Sequence, residues 1–293
     1  MGDLSDKRFD LGDLLKDVSH LISPPEIIIR LRQALEAPHS SANSIAAIVT
    51  QDPNLSAQVL HLANSAMYGL PNRIDTVSRA ISIIGTRALY HLALAVSATN
   101  TFSRLPCELV NVAVFWRHSI FTALVARSLA QRCHVLHPER LFVAGLLHDV
   151  GSLVLYSRYP EELREALMIS RGNEQVLAEQ EREVLGFDHA DVGGELLRIW
   201  GLPPVLQEAV GRHHRPGAAH QASLEVSVVH LADALSNRTE HGSFSEYGGY
   251  ACLVDPGIWT TLKLEEEDTD DIWDEITPQF LEILTVILPR ARA

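Results

Sequence analysis

The residues able to do chemistry collect in the second half of this 293-residue chain. They are His118 in FWRHSIFTALVA, His148-Asp149 in LFVAGLLHDVGSLVLYSRY, His189 in GFDHADVGGELL, His213-His214 in AVGRHHRP, and His230 with Asp233 in VSVVHLADAL. The His148-Asp149 doublet poses the sharpest problem. Seven uncharged residues precede it and eight follow before Arg158. An aspartate in such a stretch is expected to be buried, and a buried carboxylate is costly unless paired or bound to a metal. Imidazole and carboxylate together suit divalent iron, manganese or zinc, with no thiolate needed. Helices of a bundle can point side chains from distant segments at one centre. His230 and Asp233, three apart, fall on one helix face.

Each residue also has a plainer reading. A histidine beside an apolar face is more often hydrogen-bonded core or surface than a ligand, and His61, His91, His134 and His137 are read that way. Asp149 could be held by Arg117 or by a helix terminus without any metal. Asp233 could cap or pair locally, and His213-His214 could mark a helix C-terminus, where cationic histidine is favourable. Composition and spacing leave both readings open.

The elements that must position these groups read as helices. Asp52 is placed as N-cap with Pro53 at the first helical position, Leu55, Val59, Leu62 and Ala66 recur at helical spacing, and Gly69-Leu70-Pro71 ends the run. Thr76 caps a short helix ended by Gly85, and Thr86 is expected to cap the next. A later helix ends at Gly201, Pro203-Pro204 restarts it, and the new helix runs to the His213-His214 pair. Alternating strand patterns bounded by hairpin turns are not found. The expected class is all-α, in two lobes that divide near Pro106.

Composition narrows the function classes. Apolar residues make up 46% and charged residues 21%, as in ordinary globular proteins. The longest uncharged stretch, from Ala88 to Ser103, is 16 residues and too polar to span a bilayer. The charged N-terminus has no apolar h-region, so no signal peptide is expected. Cys107, Cys133 and Cys252 are widely spaced, which argues for a reduced, cytoplasmic setting rather than a disulfide framework. A net charge of −13 argues against broad nucleic-acid binding. The acidic run LEEEDTDDIWDE (264–275) reads as a solvated face.

Long motifs in order carry a resemblance. DPNLSAQVLHLANSAMYGLP followed by IDTVSRAISIIG resembles the N-terminal signature of HDOD domains, HD-related output domains of bacterial signalling proteins. LFVAGLLHDVGSLVL, FDHADVGGELLRIWGLPPVLQEAVGRHHRP and VVHLADAL resemble the rest of that family, over roughly residues 20 to 240. The resemblance implies an N-terminal extension at 1–19, an N-terminal helical lobe at 20–105, an HD-like helical lobe at 106–240, and an unmatched acidic segment and C-terminal helix at 241–293. It implies a fold related to the HD phosphohydrolases, whose metal ligands match His118, His148, Asp149 and Asp233. The branch that hydrolyses cyclic di-GMP adds histidines that match His189, His213 and His214. One or two divalent ions are therefore expected.

The departures from that branch bear on activity. Val150-Gly151-Ser152 stands where Ile-Gly-Lys usually follows the doublet, so the lysine that helps hold a substrate phosphate is absent. Arg215-Pro216-Gly217 follows the histidine pair in place of Gly-Tyr-Pro. The expectation is a signalling module that contacts a protein partner, binds metal, and has little or no hydrolytic activity. The alternative is a metal-dependent phosphohydrolase acting on a nucleotide or cyclic dinucleotide, with Arg117, Arg212 and Arg215 meeting phosphate. A di-iron redox or oxygen sensor is a third reading, since such sites recur in helical bundles.

Overall fold

The computed structural model describes residues 9–221, 223–240, 242 and 253–288. It is all-α, with no strand among the described residues. The first helices are α1 (Leu11–Val18), α2 (Glu26–Glu36), α3 (Ala42–Val49), α4 (Pro53–Ala63), α5 (Val77–Ile84) and α6 (Thr86–Phe102). Next come α7 (Val112–Arg132), α8 (Glu139–Leu147), α9 (Val150–Arg158), α10 (Pro160–Ser170) and α11 (Glu174–Leu185). The last are α12 (His189–Ile199), α13 (Pro204–Gly211), α14 (Ser223–Asn237), α15 (Gly257–Leu262) and α16 (Ile272–Ile287).

Helix punctuation acts through hydrogen bonds that can be named. Asp52 accepts from the N–H groups of Asn54 and Leu55, which fixes the start of α4 at Pro53. That helix stops at Ala63, earlier than its apolar spacing suggests, and Ala66 lies outside it and exposed. The reason is Asn64. Its amide donates to the carbonyls of Leu60 and Ile74 and accepts from Ile74 N–H, closing a loop that pulls the chain off the helix axis. Thr76 caps α5 as expected. Thr86 does not cap α6: Gly85, at φ 88°, both ends α5 and precedes α6, so Thr86 is already helical.

The long helices α6 and α7 are buried along most of their length, which is why their sequences are apolar all round. Helix α6 packs on α2, α4, α5 and also α8, while α7 packs on α8, α14 and α16. Two contacts fasten the N-terminal helices to the end of α12. The Trp200 indole donates to Ile22 O and stacks on Phe102, and Arg32 donates to Gly201 O. Helix α16 lies against α7 and α4, with Gln58 donating to Val286 O, so the C-terminal helix touches both halves of the fold. The acidic run before it is mostly exposed, with Arg132 pairing to Asp271 and Glu275. Among the described residues no helix is long and apolar enough to cross a membrane. Cys107 and Cys133 are free thiols, and Cys252 lies outside the described residues.

Two glycines set the spacing of the helices that carry the polar residues. A Cβ on Gly151 of α9 would sit 2.0 Å from the backbone oxygen of His189 at the start of α12. A Cβ on Gly194 of α12 would come within 2.8 Å of Gly211 Cα at the end of α13. The three helices meet backbone to backbone, closer than any side chain would permit.

Candidate metal centre

The His148-Asp149 doublet does not lie within a helix. It forms the break between α8 and α9, with His148 closing one and Asp149 (φ −103°, ψ 7°) opening the other. Asp149 makes no side-chain cap bond there, so its carboxylate is left for the interior. From this break the doublet faces residues brought by α7, α11, α12, α14 and the turn after α13.

Two buried clusters result. In the first, His118, His148, Glu174 and Asp233 each bring a ligand atom within 4.8 Å of the others. In the second, Asp149, His189, His213 and His214 do the same. Asp149 joins them. Its Oδ2 lies 3.3 Å from His148 Nε2 and 3.8 Å from His118 Nε2, while Oδ1 lies 3.3 Å from His189 Nε2 and 3.5 Å from His213 Nε2. All eight side chains are buried, none more than 7% exposed. The structure thus brings together the seven residues that the family resemblance matches to metal ligands and adds Glu174, while His230 stays outside both clusters.

The imidazoles are oriented from behind. His118, His148 and His213 each place Nδ1 on a backbone carbonyl, of Gly242, Gly145 and Val210 respectively, at 2.6–2.7 Å. His189 places Nδ1 on Glu181 Oε2 at 2.6 Å, and the same oxygen accepts from His189 N–H. A carbonyl accepts only, so these Nδ1 atoms carry a proton and the Nε2 atoms face the centre, the orientation typical of metal-binding histidines. The facing pairs are then notable. His118 Nε2 and His148 Nε2 are 3.2 Å apart, and His189 Nε2 and His214 Nε2 are 2.8 Å apart. Two lone pairs at that range repel unless a proton or a metal ion lies between them. Ligands about 2.1 Å from one ion stand roughly 3.0–3.4 Å apart at ordinary coordination angles, a range that the His118–His148 separation meets and the shorter His189–His214 separation does not.

A second sign points the same way. Asp149 Oδ1 and His213 Nε2 are buried without an aligned hydrogen bond among the described residues. Such orphaned polar atoms are expensive unless an ion or water completes them. The donor set of imidazoles and carboxylates therefore fits one or two divalent ions.

The electrostatics follow. Burial opposes charging of His148, but Asp149 and Asp233 outweigh it and raise the imidazole to about 10. Burial likewise disfavours the charged forms of Asp149 and Asp233, yet the surrounding histidines hold both carboxylates well below their ordinary range. Without an ion, protons do the work of the cation. Metal binding must displace them, so affinity should rise with pH, and uptake should release protons measurable by titration calorimetry in buffers of different ionisation enthalpy. The folded-state pKa of His148 lies above its ordinary 6.5, so the stability it contributes is complete below that pH and lost as pH rises through about 10. Melting curves of chelator-treated protein should accordingly shift downward between about pH 7 and about pH 10.

The remaining candidates are placed elsewhere. His230 is turned away from both clusters: its Nδ1 donates to His213 O and its Nε2 accepts from Asp255 N–H. It is a neutral prop for the His213 backbone, with burial lowering its pKa. Arg212 and Arg215 pair with Asp191, and Arg215 and Arg182 with Asp188, which ties the turn of His213-His214 to the start of α12. These arginines are engaged by Asp188 and Asp191 and anchor the turn that carries the candidate ligands. Arg117 is half-buried beside His118 on α7.

Two carboxylates of the candidate centre escape a reading of the sequence. Glu174 joins the first cluster and Glu181 backs His189, both from α11 and both buried. Their helix is rich in charge, but the signal is present. Glu174 and Glu181 are spaced by two turns and lie on the same buried stripe as Leu177, Ala178 and Leu185. Glu174→Gln is expected to lower metal content by about one ion per chain while the cluster around His189 keeps its own, measured by elemental analysis.

A family model described as HDOD domain matches residues 21–216. The chain belongs to the HDOD domain family. Among solved structures it resembles an HDOD domain protein of unknown function from Geobacter sulfurreducens, with a TM-score of 0.73 and 23% identity over 94% of this chain and 96% of that one. It also resembles a protein of Marinobacter aquaeolei named provisionally for signal transduction, with a TM-score of 0.72 and 22% identity over 96% of this chain and 61% of that one. A third, from Shewanella amazonensis and named provisionally as a metal-dependent phosphohydrolase, gives a TM-score of 0.63 and 21% identity over 95% and 98%. At such identities the likeness is one of fold. An uncharacterized protein of Treponema pallidum is 28% identical over 228 residues, which cover 76% of this chain and only 43% of that relative's length.

Proposed function

We propose that this HDOD chain is a signalling module that holds a two-ion centre and acts by contacting a protein partner, with little or no hydrolysis. The observation that carries this reading is the burial of the ligands. No donor side chain of either cluster is more than 7% exposed, so a substrate phosphate has little access to the ions. Ser152, in the position where a phosphate-holding lysine would stand, is itself buried and uncharged. Beside it Tyr156 is buried, and burial together with the charges of Glu181 and Asp149 keeps its phenol protonated. In this reading His118, His148, Glu174 and Asp233 hold one ion and His189, His213 and His214 the other, with Asp149 shared.

The bridging position of Asp149 favours a second reading, a metal-dependent phosphohydrolase. A metal pair there would lower the pKa of bound water and stabilise charge on phosphoryl oxygens. The chain's own part would be to fix the ligand geometry through Glu181, the backbone carbonyls behind the histidines and the arginine–aspartate network.

Elemental analysis of protein purified with and without air, followed by incubation with cyclic di-GMP, a linear dinucleotide and simple phosphodiesters, separates the readings. One to two ions per chain and no turnover are expected. Metal near zero with the fold intact removes the centre from both readings, and efficient hydrolysis replaces the first with the second.

A further inference from the structure

Every ligand of the candidate centre is buried, so its occupancy must be carried outward if a partner is to sense it. From several of the imidazoles the outward hydrogen bond ends on another buried group. His118 leads to Gly242 O, His148 to Gly145 O, and His189 to the wholly buried Glu181. His213 differs. Its ring is fixed on Val210 O, but its own backbone carbonyl points away from the centre and accepts from His230 Nδ1 at 2.7 Å. On the far side of that ring, His230 Nε2 accepts from the N–H of Asp255 at 3.2 Å. Asp255 is exposed and stands just before α15. Its Oδ1 accepts from Gly257 N–H at 2.8 Å and its carbonyl from Ile258 N–H at 3.0 Å, so it fixes how that helix begins.

Chemistry sets the direction of each bond. A carbonyl only accepts and an amide N–H only donates, so His230 carries its single proton on Nδ1 and links the two with a neutral ring. The near end of this line is free to respond. His213 lies in the turn after α13, outside the helical ladder, and its Nε2 faces Asp149 Oδ1 at 3.5 Å without an aligned hydrogen bond. An ion bound there draws the His213 ring onto itself, and the backbone carbonyl follows the ring.

We propose that the His213–His230–Asp255 line relays occupancy of the ion site around His189 and His213 to the exposed start of α15. The relay presupposes the two-ion centre proposed above and supplies its regulatory route to the surface. Loading fixes His213, which holds His230 and tightens its bond to Asp255 N–H. By linkage, whatever clamps the start of α15 raises affinity at that ion site by the same factor. A purely structural His230 would instead hold Asp255 equally with and without metal.

The test uses the full chain, chelator-treated and then loaded with zinc, with zinc content and amide hydrogen exchange measured on the same samples. Exchange of the Asp255 amide is expected to slow by at least about fivefold on loading. The Ile74 amide, bonded to Asn64 in the N-terminal half, reports general stabilisation and should slow less. His230→Asn keeps a donor for His213 O and loses the acceptor for Asp255 N–H, while His230→Gln does the reverse. At saturating zinc each variant should lose the response at Asp255, and the pair guards against one of them failing to fold. Zinc uptake by the parent with no change at Asp255 beyond that at Ile74 overturns the relay alone, and so does a full response in either variant. Failure of the parent to take up zinc overturns the two-ion centre and the relay with it.

Discussion

Asp149→Ala is expected to strip both clusters of metal at once. The residue faces His148 and His118 through one oxygen and His189 and His213 through the other, so its loss removes the shared ligand rather than one of several. Elemental analysis should read near zero in the variant, against one to two ions per chain in the parent. Deleting the carboxylate also removes part of the counter-charge of the raised imidazoles in the interior, leaving His148 with Asp233 and His189 with Glu181. Breaking a buried charge set of this kind costs about 3–5 kcal/mol. Asp149→Asn, which keeps the volume, guards against a trivial unfolding result: it too should lose metal while its helical spectrum stays native. A variant that keeps full metal content would show that Asp149 is a structural anchor and not a ligand.

The second large effect comes from a residue with no side chain. Gly151→Ala would drive a methyl group to 2.0 Å from His189 O, and the obstacle is backbone that cannot rotate aside. Helices α9 and α12 would have to separate, at a cost of about 3 kcal/mol. That separation also pulls Asp149 from His189, so metal content should fall together with the melting temperature. Gly217→Ala is the matching control. Nothing lies within 4 Å of a Cβ there, and its stability should change by less than about 0.5 kcal/mol. Equal behaviour of the two variants would refute the close-approach argument.

What was legible in the sequence divides along physical lines. The all-α class and the starts of α4, α5 and α13 could be read because capping and proline placement are local chemistry: Asp52 and Thr76 bond the N–H groups next to them, and Pro204 opens α13. Helix ends were harder, as Asn64 shows, because the loop it closes reaches forward to Ile74. The histidines and aspartates of the centre stood out as polar residues in apolar surroundings. Glu174 and Glu181 did not, because a carboxylate on a charged helix looks solvated until the buried stripe is traced through it. His230 shows the opposite failure. Its spacing from Asp233 suggested a shared role, yet a difference of three residues rotates the ring far enough to serve the His213 carbonyl instead.

The doublet at the break between α8 and α9 has a consequence for how much of this protein a cell contains. Its partners, from His118 on α7 to Asp233 on α14, approach one another only when the helices between them have docked, so the unfolded chain offers no comparable site. An ion held there binds the native chain alone and shifts the folding equilibrium by mass action, by about 2.7 kcal/mol when free ion stands at 100 times the dissociation constant. Scarcity of the ion removes that margin, and the opened chain becomes a substrate for proteases. Supply of the metal would then set the abundance of the protein, before any partner is engaged.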